Sequence, residues 1–259
     1  MKAKTEYFEV DSGGRILRGM KHVSKKENDI SFLIVHGYFS SNKIGPHRLY
    51  VKIADYLSQN YGDCYRFDLS GMGESDGDIE KTTFETHVED ISSVLEYLKA
   101  SGVKQLIIIS HCMGCNLVLE TLHTKKYVYR EIIFLSPFFC DDAVLNKFFP
   151  QEGQLEELKS KGYTYRRGLF VDTSFFTHKT QLEYFIHSIN TSGSFVNIIA
   201  AKNDQFIPFE CNEKLRERGK RLNFLYMDDC DHNFLTKQPQ LLEQLKEIIE
   251  DERYTDVKA

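Results

Sequence analysis

The residues with the clearest chemical potential lie in the stretch QLIIISHCMGC, at positions 105–115. Its first half has the composition of a buried strand, and its second half begins a helical pattern. Cys112 stands between the two, with small residues two positions away on either side, Ser110 and Gly114. A strand–turn–helix elbow of this kind exposes the side chain at its apex. Serine is the usual apex residue, so this sequence predicts a thiol nucleophile in its place.

Polar residues also follow four other predicted strands. They are His36-Gly37-Tyr38 after strand 30–35, Ser70 to Ser75 after strand 64–68, Asp204 after strand 195–200, and His232 after strand 222–227. In open parallel sheets, ligands bind at the carboxyl ends of the strands. We therefore expect these loops and Cys112 to gather at one edge of a sheet.

The elements that position these residues alternate along the chain. A hairpin around Ser12-Gly13-Gly14 is expected at a sheet edge, and apolar runs such as ISFLIV suit strands covered on both faces. Helices are predicted at 47–59, 83–100 (with Thr82 or Thr83 as N-cap), 113–123, 208–218 and 235–249. The predicted fold class is α/β, with a mainly parallel central sheet and helices on both faces.

One long segment departs from this alternation. Residues 140–192 are rich in phenylalanine and tyrosine and follow the sixth predicted strand, at 131–136. We interpret this segment as an inserted cap on a core formed by residues 1–139 and 193–259. An additional helical layer of the core is the alternative. Aromatic residues in or just before this segment that would contact a substrate are Phe138, Phe139, Phe175 and Phe176.

Composition narrows the class of protein. With 259 residues, 41% hydrophobic and 27% charged, the chain resembles an ordinary globular domain. A net charge of −5 argues against nucleic-acid binding, and no apolar run approaches the ~20 residues of a membrane span. The N-terminus lacks the apolar core of a secretory signal, so we expect a cytoplasmic protein whose six scattered cysteines are thiols. No nucleotide, flavin or metal site is visible, and no cofactor is predicted.

Five motifs together resemble one family. The chain is similar to α/β-hydrolases of the branch that contains cinnamoyl esterases, monoacylglycerol lipases and serine aminopeptidases. The matching motifs occur in family order and spacing, and are VHGYFSSNK, RFDLSGMGESDG, SHCMGC, AKNDQFIP and DCDHNF. They span the chain apart from the insertion. The departure from the family is the cysteine at the apex.

The resemblance implies a role for each matching residue. It makes Cys112 the nucleophile, Asp204 the acid and His232 the base, in the chain order of the fold. It assigns the oxyanion hole to the backbone N–H groups of Tyr38 and Met113. A base is needed because an ordinary thiol, with a pKa of ~8.5, is only slightly ionised at neutral pH.

Several assignments have alternatives. Asp141 or Asp142 is the substitute acid, and His36 and His111 are expected to pack or to brace loops. Cys112 and Cys115 form a Cys-x-x-Cys motif, so a thioredoxin-like redox centre is an alternative to the hydrolase interpretation. A regulatory disulfide between these two cysteines is a further alternative.

Sulfur at the apex also widens the range of reactions. A thioester intermediate is attacked by amines, alcohols and thiols as well as by water. We predict an enzyme that hydrolyses a small carboxylic ester or thioester through an acyl-cysteine. One alternative is an acyltransferase that takes its acyl group from acyl-coenzyme A or an acyl-carrier protein. A binding protein on a catalytically retired hydrolase fold is another.

Overall fold

The computed structural model describes residues 4–26, 29–38, 42–124, 127, 129–166 and 168–251. Residues 39–41 of the VHGYFSSNK motif lie outside the described residues. The strands are β1 (Lys4–Ser12), β2 (Arg15–Val23), β3 (Ile30–Val35), β4 (Asp63–Phe67), β5 (Gln105–His111), β6 (Glu131–Leu135), β7 (Tyr163–Arg166), β8 (Leu169–Asp172), β9 (Val196–Ala201) and β10 (Leu222–Met227). The α-helices are α1 (Leu49–Asn60), α2 (Phe84–Ala100), α3 (Met113–Thr124), α4 (Asp142–Phe148), α5 (Gln154–Lys161), α6 (Leu182–Thr191), α7 (Phe209–Arg218) and α8 (Gln238–Glu250).

The central sheet has the order β1-β2-β4-β3-β5-β6-β9-β10. The pairs β1–β2 and β2–β4 are antiparallel, and the other neighbours are parallel. This confirms the predicted α/β fold, with a mainly parallel sheet and the first hairpin at its edge. The parallel direction brings the carboxyl ends of β3, β5, β6, β9 and β10 to one edge.

Both faces of the sheet are buried, which explains the continuous apolar strands. Leu33 and Val35 of β3 belong to a core cluster that includes residues of α2 and α3. Phe32 and Ile34, on the opposite face, belong to a second cluster with residues of α1 and α8. The sheet is therefore the rigid middle layer on which the loops of the site are mounted.

The chain between β6 and β9 contains α4, α5, the antiparallel hairpin β7–β8, and α6. The hairpin was not predicted, because each strand has only four residues and the aromatic pattern of the segment concealed it. The C-terminal part of the segment is tied to the core helix α3. Tyr184 donates a hydrogen bond to Glu120 at 2.8 Å, and Lys179 pairs with Glu120 at 2.9 Å. These two contacts hold this part of the segment against α3.

Two properties of the described residues bear on the compositional predictions. None of their helices is long and apolar enough to cross a membrane. The six cysteines are buried free thiols, as expected.

Candidate active site

Cys112 occupies the sharp turn between β5 and α3. Its φ of 56° lies in the left-handed region, which is costly for a residue with a side chain. Hydrogen bonds hold the turn: the Cys112 N–H donates to the Leu135 carbonyl at 3.0 Å, and the Cys112 carbonyl accepts from Phe138 at 3.3 Å. Cys112 is only 8% exposed. A reacting molecule must therefore come to the thiol from the cavity that Cys112 lines.

The small residues near Cys112 allow the ends of β3 and β5 to approach closely. A Cβ on Gly37 would lie 3.0 Å from the Cys112 Cβ and 3.1 Å from the His111 carbonyl oxygen. A Cβ on Gly114 would lie 2.6 Å from the carbonyl oxygen of His36. A side chain at position 114 would collide with the backbone, and one at position 37 would be tighter than an ordinary contact. The first turn of α3 therefore rests directly on the backbone after β3.

His232 and Asp204 come together from the loops after β10 and β9. The Asp204 carboxylate contacts His232 Nδ1, with Oδ2 at 2.6 Å. Its Oδ1 accepts hydrogen bonds from the backbone N–H groups of Phe206 at 2.8 Å and Ile207 at 2.9 Å. The imidazole and the Cys112 thiol line the same cavity. The three groups are therefore gathered at one site, and the imidazole is hydrogen-bonded to the carboxylate.

The surroundings of His232 favour a charged imidazole. Burial of His232 disfavours its protonated form, but the negative charge of Asp204, the neighbouring Cys112 sulfur and the hydrogen bond to Asp204 raise the pKa of His232 well above its ordinary value. Burial alone would raise the pKa of Asp204. The charge and hydrogen bond of His232, with the two backbone donors, instead lower it. The arrangement can accept a proton from the thiol and keep the resulting cation stable.

Two other histidines brace the loops of the site. His111 Nε2 lies 2.9 Å from the His232 carbonyl, and His111 Nδ1 lies 2.8 Å from the Tyr50 hydroxyl. Since a carbonyl only accepts, Nε2 donates and Nδ1 accepts from Tyr50. Burial and the neighbouring His232 lower the pKa of His111 to about 3, so this ring stays neutral. By the same reasoning His36 accepts from the Leu69 N–H through Nε2 and donates to the Gly37 carbonyl through Nδ1.

A cavity of about 350 Å³ opens beside the thiol. Aromatic side chains form much of its wall, and polar groups come from three different loops. The lining residues are Gly37, Tyr38, Asn42, Ile44, Gly45, Pro46, His111, Cys112, Phe138, Phe148, Arg166, Phe206, His232 and Asn233. A volume of this size accommodates a small organic molecule.

Residues 30–205 match the family model described as alpha/beta hydrolase fold, which covers more than half of the chain. The chain belongs to the α/β-hydrolase family. A search of curated proteins found no match.

Solved structures share this fold over nearly the whole chain. Est1E from Butyrivibrio proteoclasticus, with ferulic acid bound, is 18% identical with a TM-score of 0.79, over 93% of this chain and 97% of that one. An esterase from Pyrococcus furiosus is 17% identical with a TM-score of 0.73, over 98% and 91%. The mouse alpha/beta hydrolase domain-containing protein 10 is 18% identical with a TM-score of 0.71, over 95% and 98%. At these identities the similarity shows the α/β-hydrolase fold alone.

The structure brings the predicted α/β-hydrolase site residues together. Cys112 and His232 line the same cavity, and His232 is hydrogen-bonded to Asp204. Tyr38 lies in the loop after β3, and Met113 is the first residue of α3. Asp141, the substitute acid, accepts a hydrogen bond from the Leu182 N–H instead.

The four aromatic residues predicted to contact a substrate differ in how they lie relative to the cavity. Phe138 lines the cavity. Phe175 stacks on the lining residue Tyr38 at 4.0 Å between ring centroids, and Phe176 packs against Phe138 at 6.2 Å. Phe139 is fully buried against Phe185. These residues shape the wall from behind more than they line it.

Sequence reasoning did not single out Arg166 or Phe206 as residues of the site. Arg166 reaches the cavity because the β7–β8 hairpin folds toward it, and Phe206 because its loop turns around Asp204. The position of Phe206, two residues after the predicted acid, was an available signal. No local pattern marked Arg166.

Cys115, the second cysteine of the Cys-x-x-Cys motif, is fully buried. Its thiol donates to the Ser110 carbonyl at 3.4 Å, and burial raises the pKa of this thiol well above its ordinary value. A raised pKa and a buried sulfur oppose the thiolate chemistry that a dithiol redox centre needs. The geometry therefore favours the hydrolase interpretation of the motif.

The Asp204–His232 contact predicts an unusual titration. Because its folded-state pKa is raised, His232 should stay protonated as the pH rises above 6.5, and Asp204→Asn should lower its pKa by removing the opposing charge. Histidine-ring NMR measures the pKa of His232 in the wild type and in the variant. Asp228→Asn is the matched control, since Asp228 lies in the same loop as His232 but pairs with Lys202 at 2.8 Å. Equal effects of the two substitutions would contradict the assignment of Asp204.

Because Gly114 packs closely on the backbone after β3, we expect its replacement by alanine to have the opposite of the usual effect on stability. Alanine in place of glycine normally stabilises a helix by about 1 kcal/mol. Here we expect Gly114→Ala to lower the free energy of unfolding by roughly 1–3 kcal/mol, because the new methyl group meets the His36 carbonyl. Urea denaturation measures the change. A stabilised variant would show that the elbow is not tightly packed.

Proposed function

We propose that the protein is an esterase that works through an acyl-cysteine intermediate on Cys112. The observation that carries the proposal is the cavity that Cys112 and His232 line together, with His232 hydrogen-bonded to Asp204. The fold relatives support it. One of them is an esterase from Pyrococcus furiosus, and Est1E was solved with ferulic acid bound.

The reaction would proceed in two stages. With the thiol proton of Cys112 held on His232, the sulfur attacks the ester carbonyl to form a carbon–sulfur bond. The carbon–oxygen bond to the leaving group breaks, and His232 returns the proton to the departing alcohol. In the second stage His232 takes a proton from water, and hydroxide attacks the thioester. The acid is released, and the thiolate recovers the proton through His232. Asp204 stabilises the imidazolium in both stages and fixes the ring orientation.

The oxyanion of each tetrahedral intermediate would be bound by the N–H groups of Tyr38 and Met113. As the first residue of α3, Met113 has an N–H without an acceptor in its own helix. A Cβ on Gly37 would lie 3.5 Å from the Met113 nitrogen, so the two loops are adjacent. The Tyr38 side chain is anchored by stacking on Phe175 and by a 3.2 Å hydrogen bond from its hydroxyl to the Phe170 carbonyl. That anchor fixes the backbone beside Cys112.

Residues 140–192 would act as the cap of the site. Phe148 and Arg166 from this segment line the cavity beside Cys112. The contacts of Glu120 with Lys179 and Tyr184 anchor the segment to α3. A cap anchored in this way limits the entry of water and shapes the space for the acyl group.

The cysteine also favours a second candidate, an acyltransferase. A thioester intermediate survives long enough to meet an amine, alcohol or thiol acceptor when water is held back. The acyl donor would then be acyl-coenzyme A or an acyl-carrier protein. Cytoplasmic localisation is part of the same proposal, because a reducing compartment keeps Cys112 as a thiol.

Kinetics on a panel of 4-nitrophenyl esters tests the proposal. We expect Cys112→Ala to abolish enzymatic turnover and His232→Ala to lower kcat/KM by about 10²–10⁴. Cys211→Ala is the control, because Cys211 is a buried cysteine on α7. Product analysis with added amine and thiol acceptors separates hydrolysis from transfer. Turnover that persists in Cys112→Ala would refute the acyl-cysteine mechanism, and a wild-type protein inactive on every ester and thioester would indicate a binding protein.

A further inference from the structure

Arg166 is the permanently charged side chain among the described residues that line the cavity. It is the last residue of β7 and is half-buried. It therefore places a positive charge in the wall of the same cavity as Cys112. Nothing in the acyl-cysteine chemistry proposed above uses this charge.

The guanidinium is held in a defined orientation. Arg166 Nε donates a hydrogen bond to the Phe148 carbonyl at 2.7 Å. The guanidinium carbon lies 3.8 Å from the centre of the Phe148 ring and 5.7 Å from that of Phe206. Both rings also line the cavity. The rings limit hydration of the guanidinium, and a fixed planar fork is suited to bind a carboxylate through two parallel hydrogen bonds.

Two carboxylates near the site have defined partners. Asp204 accepts from His232 and from two backbone N–H groups and does not line the cavity. Glu157 pairs with Lys161 and accepts a hydrogen bond from the hydroxyl of Thr164, which lies in the same strand as Arg166. The described lining of the cavity contains no carboxylate. An anionic substrate entering the cavity therefore meets positive potential from Arg166 and from the charged form of His232.

We propose that the substrate of this site carries a carboxylate that Arg166 binds, as in a half-ester or half-thioester of a dicarboxylic acid. The proposal rests on the esterase function proposed above and narrows its substrate class. Arg166 would hold the far carboxylate of the acyl chain while the ester carbonyl lies at Cys112. The aromatic wall of Phe138, Phe148 and Phe206 would contact the methylene groups between them.

Paired substrates test this directly. The 4-nitrophenyl half-ester of glutaric acid and the corresponding glutaramide ester differ in charge but hardly in shape. We expect wild-type kcat/KM to be higher for the half-ester. Arg166→Met should lower the ratio of kcat/KM for the half-ester to kcat/KM for the amide ester by roughly 10- to 100-fold, as expected for the loss of a charge-assisted hydrogen-bond pair. Arg166→Lys should retain part of the ratio, and Arg216→Met, at an exposed pair with Glu213, should leave it unchanged.

A second readout does not depend on esterase activity. Iodoacetate and iodoacetamide both alkylate cysteine thiols, but only iodoacetate carries a carboxylate. We expect Arg166→Met and Arg166→Gln to lower the iodoacetate to iodoacetamide rate ratio at Cys112, measured by peptide mass spectrometry.

The two readouts separate the two proposals. A ratio that falls in a protein inactive on all esters would support the anion site and refute the esterase function. Ester turnover with both ratios unchanged in the Arg166 variants would support the esterase function and overturn the anion site, leaving Arg166 as a packing residue on Phe148.

Discussion

The site depends on one backbone constraint, the left-handed conformation of Cys112. This conformation turns the chain sharply enough for β5 to end and α3 to begin without a loop. Hydrogen bonds to Leu135, in the next strand β6, and to Phe138, in the segment after β6, hold this conformation. The turn is therefore fixed relative to the sheet, and Gly37 and Gly114 permit the close packing of the backbone around it.

Charge is distributed around the thiol so that one histidine is charged and its neighbours are neutral. Asp204 is buried with donors to both of its oxygens, which keeps it ionised opposite His232. His111, whose ring centroid lies 5.0 Å from that of His232, holds its neutral form through fixed partners on both nitrogens. The protein thus confines positive charge to His232, where a proton must move, and to Arg166 in the cavity wall. This separation gives the cavity a direction along which a charged acyl chain would align.

Much of the fold was predictable because its determinants are local. The apolar runs of β3 and β5 indicate strands buried on both faces, and Thr83 is the N-cap of α2, with its hydroxyl accepting from the Thr86 N–H. The start of α8 was placed too early, at 235 instead of Gln238. Asp231 accepts from the Asn233 and Leu235 N–H groups and extends the preceding loop, which the helical periodicity did not reveal.

The contents of the cavity were less predictable, because they depend on how separate segments meet. The motifs marked Cys112, Asp204 and His232, since each lies directly after a strand. Arg166 lies on a four-residue strand whose position depends on the packing of the whole insertion, and Phe148 becomes its partner only in the folded chain. The Tyr50–His111–His232 connection likewise joins three segments that no sequence pattern relates.

The most direct test of the account is the covalent intermediate itself. Protein mixed rapidly with a 4-nitrophenyl ester can be quenched in acid, weighed intact and digested for peptide mapping. We predict an acyl adduct of one acyl group per chain, located on Cys112, that forms with release of nitrophenol and then decays as acid is produced. Turnover without an adduct on Cys112, or an adduct on another residue that forms at the rate of turnover, would contradict the central claim.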